Sequence, residues 1–234
     1  MSEYAGAYDA IGSKLEDCVD QRSHLLSFLS NKVSKLLPHA PQTALDLGCG
    51  TGEPASAYLA SLGHKVTGLD FSETMVLLAR TKVPNPNATF FQADMLTWEP
   101  PKGIHYDLVL ASHCLYNFSA DEIRSLVFKF AEWVKEDGFV VVGSAVRVQL
   151  LEEGIIQFDE NGWAEAVPNT FIGHEFLSTY AMADTWRKLL ESTGMKFVEL
   201  EQGYYNRAGA GPEERTLVSF IIMHKDKDGK ATGI

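Results

Sequence analysis

The sequence predicts an α/β fold, a mostly parallel sheet with helices on both faces. Three observations carry this. Short apolar strand-like segments alternate with helix-like ones from residue 43 to residue 143. A glycine-rich turn at 46–52 joins the first of these strands to a helix, which is where an open α/β sheet places its ligand crevice. Two β-rich segments, 196–205 and 216–224, close the chain around a Gly/Pro loop and read as an antiparallel hairpin at a sheet edge.

The elements follow in order. Leu15, Val19, Leu25, Leu26, Leu29, Val33 and Leu36 recur near helical spacing, so 11–37 is predicted as one helix stopped by Pro38. The first strand is 43–47. A helix at 53–62 carries Pro54 in its first turn, where a missing N–H costs little, and Gly63 ends it. The second strand is 65–69, and Ser72 caps a helix running to about residue 81. The Pro-Asn-Pro-Asn run at 84–87 is a loop, and strands at 89–92 and 106–111 follow it. Ser119 and Glu122 form a capping box for a helix at 120–135. Asp137-Gly138 turns the chain into a strand at 139–143.

Beyond that point the alternation stops. Residues 146–183 hold Phe158, Trp163, Phe171, Phe176 and Tyr180 at irregular spacing and are expected to form a cap over the sheet. A helix at 184–192 precedes the closing hairpin. Residues 1–225 are read as one domain, with 1–38 as an N-terminal lid and 146–183 as a substrate cap. Residues 226–234 are expected to be a flexible tail.

Composition narrows the function. The chain has 234 residues with 31 acidic against 20 basic side chains, a net charge of −11. A surface of that sign repels phosphate backbones, so a nucleic-acid partner is not expected. Cys18, Cys49 and Cys114 form no C-x-x-C pair, and no two histidines have metal-ligand spacing on a helix, so no metal is expected. Free thiols, a non-apolar N-terminus and the lack of a long apolar run lead to the expectation of a cytoplasmic protein without a membrane span.

The turn reads Asp46-Leu47-Gly48-Cys49-Gly50-Thr51-Gly52. No Lys follows it, which excludes a Walker loop, and its G-x-G-x-G spacing departs from the dinucleotide G-x-G-x-x-G. Glycines let the backbone turn sharply and let a ligand approach closely, and the helix N-terminus behind them offers free N–H groups. Asp70 ends the second strand about 20 residues on, where a carboxylate can accept from both hydroxyls of a ribose. Asp94 ends the third strand and could accept from an adenine amine.

With these residues in place, the chain resembles the class I S-adenosylmethionine-dependent methyltransferases. Leu45–Gly52 is similar to their first motif and Gly68-Leu69-Asp70 to their second, while Asp94-Met95 and Tyr106–Val109 fall where later motifs lie. The resemblance implies a Rossmann-like seven-stranded sheet and S-adenosylmethionine as cofactor, with S-adenosylhomocysteine as product. It implies that Gly48, Cys49 and Gly50 lie against the methionine portion and that Asp46 holds the loop and reaches the amino group. Asp70 would take the ribose, Phe71 and Met95 would flank the adenine, and Asp94 would meet its amine. Ser112 and His113 would lie near the methyl group, and Tyr8 would cap the cofactor.

The acceptor is expected to be a small organic molecule methylated on oxygen rather than nitrogen. The strand end Ala111–Phe118 lacks the Asn/Asp-Pro-Pro-Tyr tetrapeptide of enzymes that methylate nucleic-acid amines. His113 is the first candidate base and His174 the second. Tyr4, Tyr116, Trp163, Phe171 and Tyr204 are the candidate acceptor contacts. The competing reading is a cyclase or isomerase of the same fold that binds the cofactor without transferring methyl.

Overall fold

The computed structural model describes residues 2–17, 19–206 and 215–227. Cys18, the Gly/Pro loop between the last two strands and most of the expected tail lie outside the described residues. One seven-stranded sheet organises the chain, in the order β3-β2-β1-β4-β5-β9-β8. The strands are β1 (Thr43–Leu47), β2 (Lys65–Asp70), β3 (Ala88–Gln92), β4 (Tyr106–Ser112), β5 (Val134–Arg147), β8 (Lys196–Asn206) and β9 (Arg215–His224). β3, β2, β1, β4 and β5 are parallel neighbours, and β9 pairs antiparallel with both β5 and β8.

Alternation along the central strands feeds two cores. Leu45 and Leu47 of β1 pack with Val109 and Ala111 of β4 and with Phe130 and Trp186 of α6 (Ala120–Trp133) and α8 (Ala183–Ser192). Ala44, Leu108 and Leu110 face the other way, onto Phe28 of α2 (Val19–Phe28) and Leu59 of α4 (Ala55–Ser61). A parallel sheet buried on both faces in this way requires strands that are apolar throughout. The capping box at Ser119 is present, and Ser72 accepts a hydrogen bond from the backbone N–H of Met75 to start α5 (Glu73–Lys82).

Three expectations are corrected. The N-terminal region is not one helix over 11–37. It begins earlier, with α1 (Ser2–Ile11), and breaks at Gly12, whose φ of +47° is outside helical space. A 3-10 turn (Gly12–Asp17), α2, a π-helical turn (Leu29–Val33) and the short α3 (Ser34–Leu36) follow. Second, β5 runs well beyond 139–143, because β9 pairs with it as far as Arg147.

Third, the cap insert is more regular than its sequence suggested. It contains α7 (Val148–Glu152) and a two-stranded antiparallel ribbon, β6 (Trp163–Phe171) and β7 (His174–Ala181). Phe171 pairs with His174, so Ile172 and Gly173 are the two turn residues, both with positive φ (49° and 79°). Two left-handed residues match the twist of a hairpin. Isoleucine is a poor residue for that conformation, which is why the turn was not visible in the sequence.

Candidate active site

The cleft opens beside the C-terminal ends of β1, β2 and β4, at the point where strand order reverses. The turn after β1 forms its floor. Gly48, Gly50 and Gly52 all have positive φ (62°, 54° and 78°). Cys49 N–H donates to the Leu69 carbonyl, and Gly52 N–H to that of Cys49, both at 2.9 Å. A methyl group at Gly48 would come 2.3 Å from Cys114 Cβ, so the absence of a side chain there lets the β4 loop close against the turn.

Two buried carboxylates hold this turn. Asp70 Oδ2 accepts from the Gly50 N–H at 2.9 Å and Oδ1 from the Ser72 N–H at 2.9 Å. Asp46 Oδ2 accepts from Ser56 Oγ at 2.6 Å. Burial pushes Asp46 up to about 7, and Asp70 adds to this by repulsion. Burial likewise pushes Asp70 up to about 6, against the hydrogen bonds it accepts. Both carboxylates therefore favour a cation or a hydroxyl donor as ligand. The Cys49 and Cys114 thiols also line the cleft and are held protonated by burial.

On the opposite wall, Ser112 Oγ and His113 Nδ1 are 2.7 Å apart. His113 sits in the left-handed region (φ 57°), tied by its N–H to the Gly143 carbonyl. Burial, with a smaller contribution from His24, pushes its imidazole down to about 4. Its Nε2 is buried with no hydrogen-bond partner among the described residues.

The roof comes from two distant segments. Tyr8 of α1 accepts a hydrogen bond at its hydroxyl from Asn117 Nδ2 at 3.1 Å, and its ring meets Phe71 edge-on at 5.3 Å. Burial pushes the Tyr8 phenol up to about 12. Phe171, at the tip of the β6–β7 ribbon, completes the lining with Leu15 and Leu25.

The structure therefore gathers Tyr8, Asp46, Gly48, Cys49, Gly50, Asp70, Phe71, Met95, Ser112, His113 and Phe171 around one cleft. Other sequence candidates lie elsewhere. Asp94 turns back to accept from the Leu96 N–H, beside the cleft rather than in its lining. Tyr4 packs on Phe176, behind Tyr8. Tyr116 faces Tyr180 and its hydroxyl accepts from the Ala145 N–H. His174 begins β7 beyond the ribbon's turn. Trp163 is 5% exposed in the main core, against Trp186 and beneath Arg124. Tyr204 is 61% exposed on the edge strand β8.

Among the residues that line the cleft, sequence reasoning missed Leu15, Leu25, Glu53, Cys114 and Asn117. Asn117 had one available signal, its place in the short turn between β4 and the Ser119 cap. Among the described residues no cluster of three potential metal ligands is present, and no helix is long and apolar enough to cross a membrane.

The seven-stranded sheet with its antiparallel β9, the G-x-G-x-G turn and the carboxylate ending β2 are the features that resemble the class I S-adenosylmethionine-dependent methyltransferases. Residues 44–138, about two fifths of the chain, match the family model described as a methyltransferase domain. The chain is similar to a protein of Geobacillus sp. (strain WCH70) that is named a putative methyltransferase, with 32% identity over 49% of this chain and 47% of that protein. It is also similar to a trans-aconitate 2-methyltransferase of Paracidovorax citrulli, with 37% identity over 35% and 32% of the two. These alignments span less than half of the relatives' own length. Among solved structures, the 1,6-didemethyltoxoflavin-N1-methyltransferase of Burkholderia thailandensis, with bound 1,6-didemethyltoxoflavin and S-adenosylhomocysteine, shares the fold. The TM-score is 0.64 at 16% identity, covering 97% of this chain and 87% of that one.

Proposed function

We propose that the chain transfers the methyl group of S-adenosylmethionine to an oxygen of a small organic molecule. The observation that carries this reading is the glycine turn fastened to the Asp70 carboxylate, facing the Ser112–His113 pair across one cleft. The residues fit the cofactor. The bare Gly48 and Gly50 backbone admits close approach, and two buried carboxylates keep unused lone pairs for a ribose and an ammonium group. Phe71 and Met95 supply apolar faces suited to an adenine. When bound, the cofactor supplies an electrophilic methyl carbon.

The chain's own residues orient the acceptor and receive its proton. His113 is neutral throughout the physiological range, and its Nε2 lone pair is free in the tautomer where Nδ1–H donates to Ser112 Oγ. An imidazole held that low is a weak base, and it assists only an acceptor whose proton is already acidic. That favours a phenol or enol, or a carboxylate that needs no base, over an alkylamine. Leu15, Leu25 and Phe171 give this part of the cleft an apolar lining for the body of such a molecule.

The test is incubation with methyl-labelled S-adenosylmethionine and matched panels of phenols, carboxylic acids (trans-aconitate among them) and amines, read by mass spectrometry. Label on oxygen is expected. Label on nitrogen alone overturns the oxygen assignment, and failure to bind S-adenosylhomocysteine overturns the cofactor.

A further inference from the structure

The residue next to Tyr8 points to a control on the cleft. Asp9 does not line it. Its Oδ1 accepts from Ser72 Oγ at 2.5 Å and from the Thr74 N–H at 3.2 Å, at the N-terminal turn of α5. These bonds hold the Asp9 carboxyl below its usual range, with Ser72 the largest cause. Ser72 is also the residue whose N–H binds Asp70. Successive residues of α1 thus fasten to opposite walls of the cleft, Tyr8 to Asn117 on the β4 side and Asp9 to Ser72 and Thr74 on the β2 side.

The two roof elements differ in how firmly they are held. The β6–β7 ribbon is built in: Trp163 lies in the main core, Glu165 accepts from the Ala120 N–H at the start of α6, and the Thr179 N–H donates to the Tyr116 carbonyl. Beyond the hydrogen bonds of Tyr8 and Asp9, α1 is held by one apolar cluster, in which Ile11 is buried with Met75 and Phe176 and against which Tyr4, Ala7 and Tyr8 pack part-buried. It joins the rest of the chain at Gly12, whose positive φ permits a sharp change of direction. Asp9 itself is exposed, so its bonds compete with water.

We propose that Asp9 is a positioning residue: by clasping α1 to the first turn of α5 it sets Tyr8 over the cleft, and its release opens the path for cofactor exchange. The proposal rests on the cleft being the S-adenosylmethionine site. Stopped-flow binding of S-adenosylhomocysteine to the full chain tests it, comparing wild type with Asp9→Ala, Asp9→Asn and Tyr8→Phe. Asp9→Ala is expected to raise both association and dissociation rates, by about three- to tenfold. Asp9→Asn, which keeps an acceptor oxygen, should restore much of the difference. Unchanged rates in Asp9→Ala, or a lowered melting temperature with unchanged rates, overturn it. Amide hydrogen exchange separates this from failure of the cofactor reading, because it needs no ligand. Asp9→Ala should speed exchange across 2–11 and leave β1 and β4 unchanged, and equal exchange in 2–11 refutes the clasp.

Discussion

Asp70 and Gly50 are joined by a 2.9 Å hydrogen bond from the backbone N–H of the turn to the carboxylate ending β2. The side chain expected to meet a ribose is therefore also the strut of the loop beneath it. The two roles are compatible, since a carboxylate offers about four lone-pair sites and Asp70 gives one to Gly50 and one to Ser72. They also mean that a change at Asp70 acts twice. Asp70→Ala is expected to weaken S-adenosylhomocysteine binding by about 1–3 kcal/mol, the cost of unpairing buried hydrogen-bonding groups. Asp70→Asn should fall between, because it keeps one acceptor oxygen. Titration calorimetry measures both, and wild-type affinity in Asp70→Ala removes the residue from the site.

Cofactor affinity should depend on pH. Asp46 and Asp70 titrate near 7 and 6 in the fold, against 3.8 in an open chain, with burial the main cause in each. An ammonium-bearing ligand binds the ionised carboxylates, so affinity for S-adenosylhomocysteine should rise between about pH 5.5 and 8, with protons released on binding. The ligand-free protein should show the opposite trend from this pair. The fold holds protons that the unfolded chain gives up above pH 4, so their contribution to stability declines as pH rises toward 7. Calorimetry in buffers of different ionisation enthalpy detects the protons. A flat affinity profile with no proton release contradicts the buried pair.

Gly48 should tolerate no side chain. Its φ of +62° disfavours any other residue, and an added Cβ meets the Cβ of Cys114 at 2.3 Å. Gly48→Ala is therefore expected to cost about 1–3 kcal/mol of backbone strain before the clash is counted. Because the opposing atom is a Cβ, Cys114→Ala should not rescue it. Thermal unfolding of the single and double variants checks this, and recovery in the double variant would mean that the thiol, not the backbone approach, sets the limit.

The parts of the fold that declared themselves in sequence are those with a local cause. β1 and its turn were legible because Thr43–Leu47 is apolar and the glycines after it are spaced for one geometry. α5 and α6 were legible from Ser72, Ser119 and Glu122. What stayed hidden depends on distant partners. The ribbon turns on Ile172, whose φ of 49° its sequence does not favour, and Ile172 packs against the cluster that includes Ile11 of α1 and Met75 of α5. The extension of β5 to Arg147 exists only because β9 lies beside it. Asn117 matters through Tyr8, 109 positions away.

Trp163 and Tyr204 show the same limit at the level of the site, and they make a paired prediction. Aromatic character suggested acceptor contacts for both, yet one is buried against Trp186 and the other is exposed at the sheet edge. Trp163→Ala should destabilise by about 3–5 kcal/mol through the cavity it leaves. Tyr204→Ala should stay within about 0.5 kcal/mol. Denaturant unfolding of each variant decides, and a Trp163→Ala protein of wild-type stability would return that residue to the list of acceptor contacts.

His113 gives the sharpest test of the cleft's electrostatics. Burial holds its imidazole near 4 in the fold, against 6.5 in an open chain. A folded value below the unfolded one means that the unfolded chain binds the proton first as pH falls. The neutral imidazole's contribution is thus fully present above pH 6.5 and is lost progressively toward pH 4. His113→Asn removes that titration and still suits the residue's left-handed backbone, which asparagine tolerates. Asp46 and Asp70 act with the opposite sign in this window, so the useful quantity is the difference between variant and wild type at each pH, in which the carboxylates largely cancel. The variant's melting temperature relative to wild type is expected to climb steadily from pH 7 to pH 5. A constant difference across that range would mean that His113 is free to charge in the fold, and a histidine that charges near 6.5 is solvated and is a stronger base than the one described here.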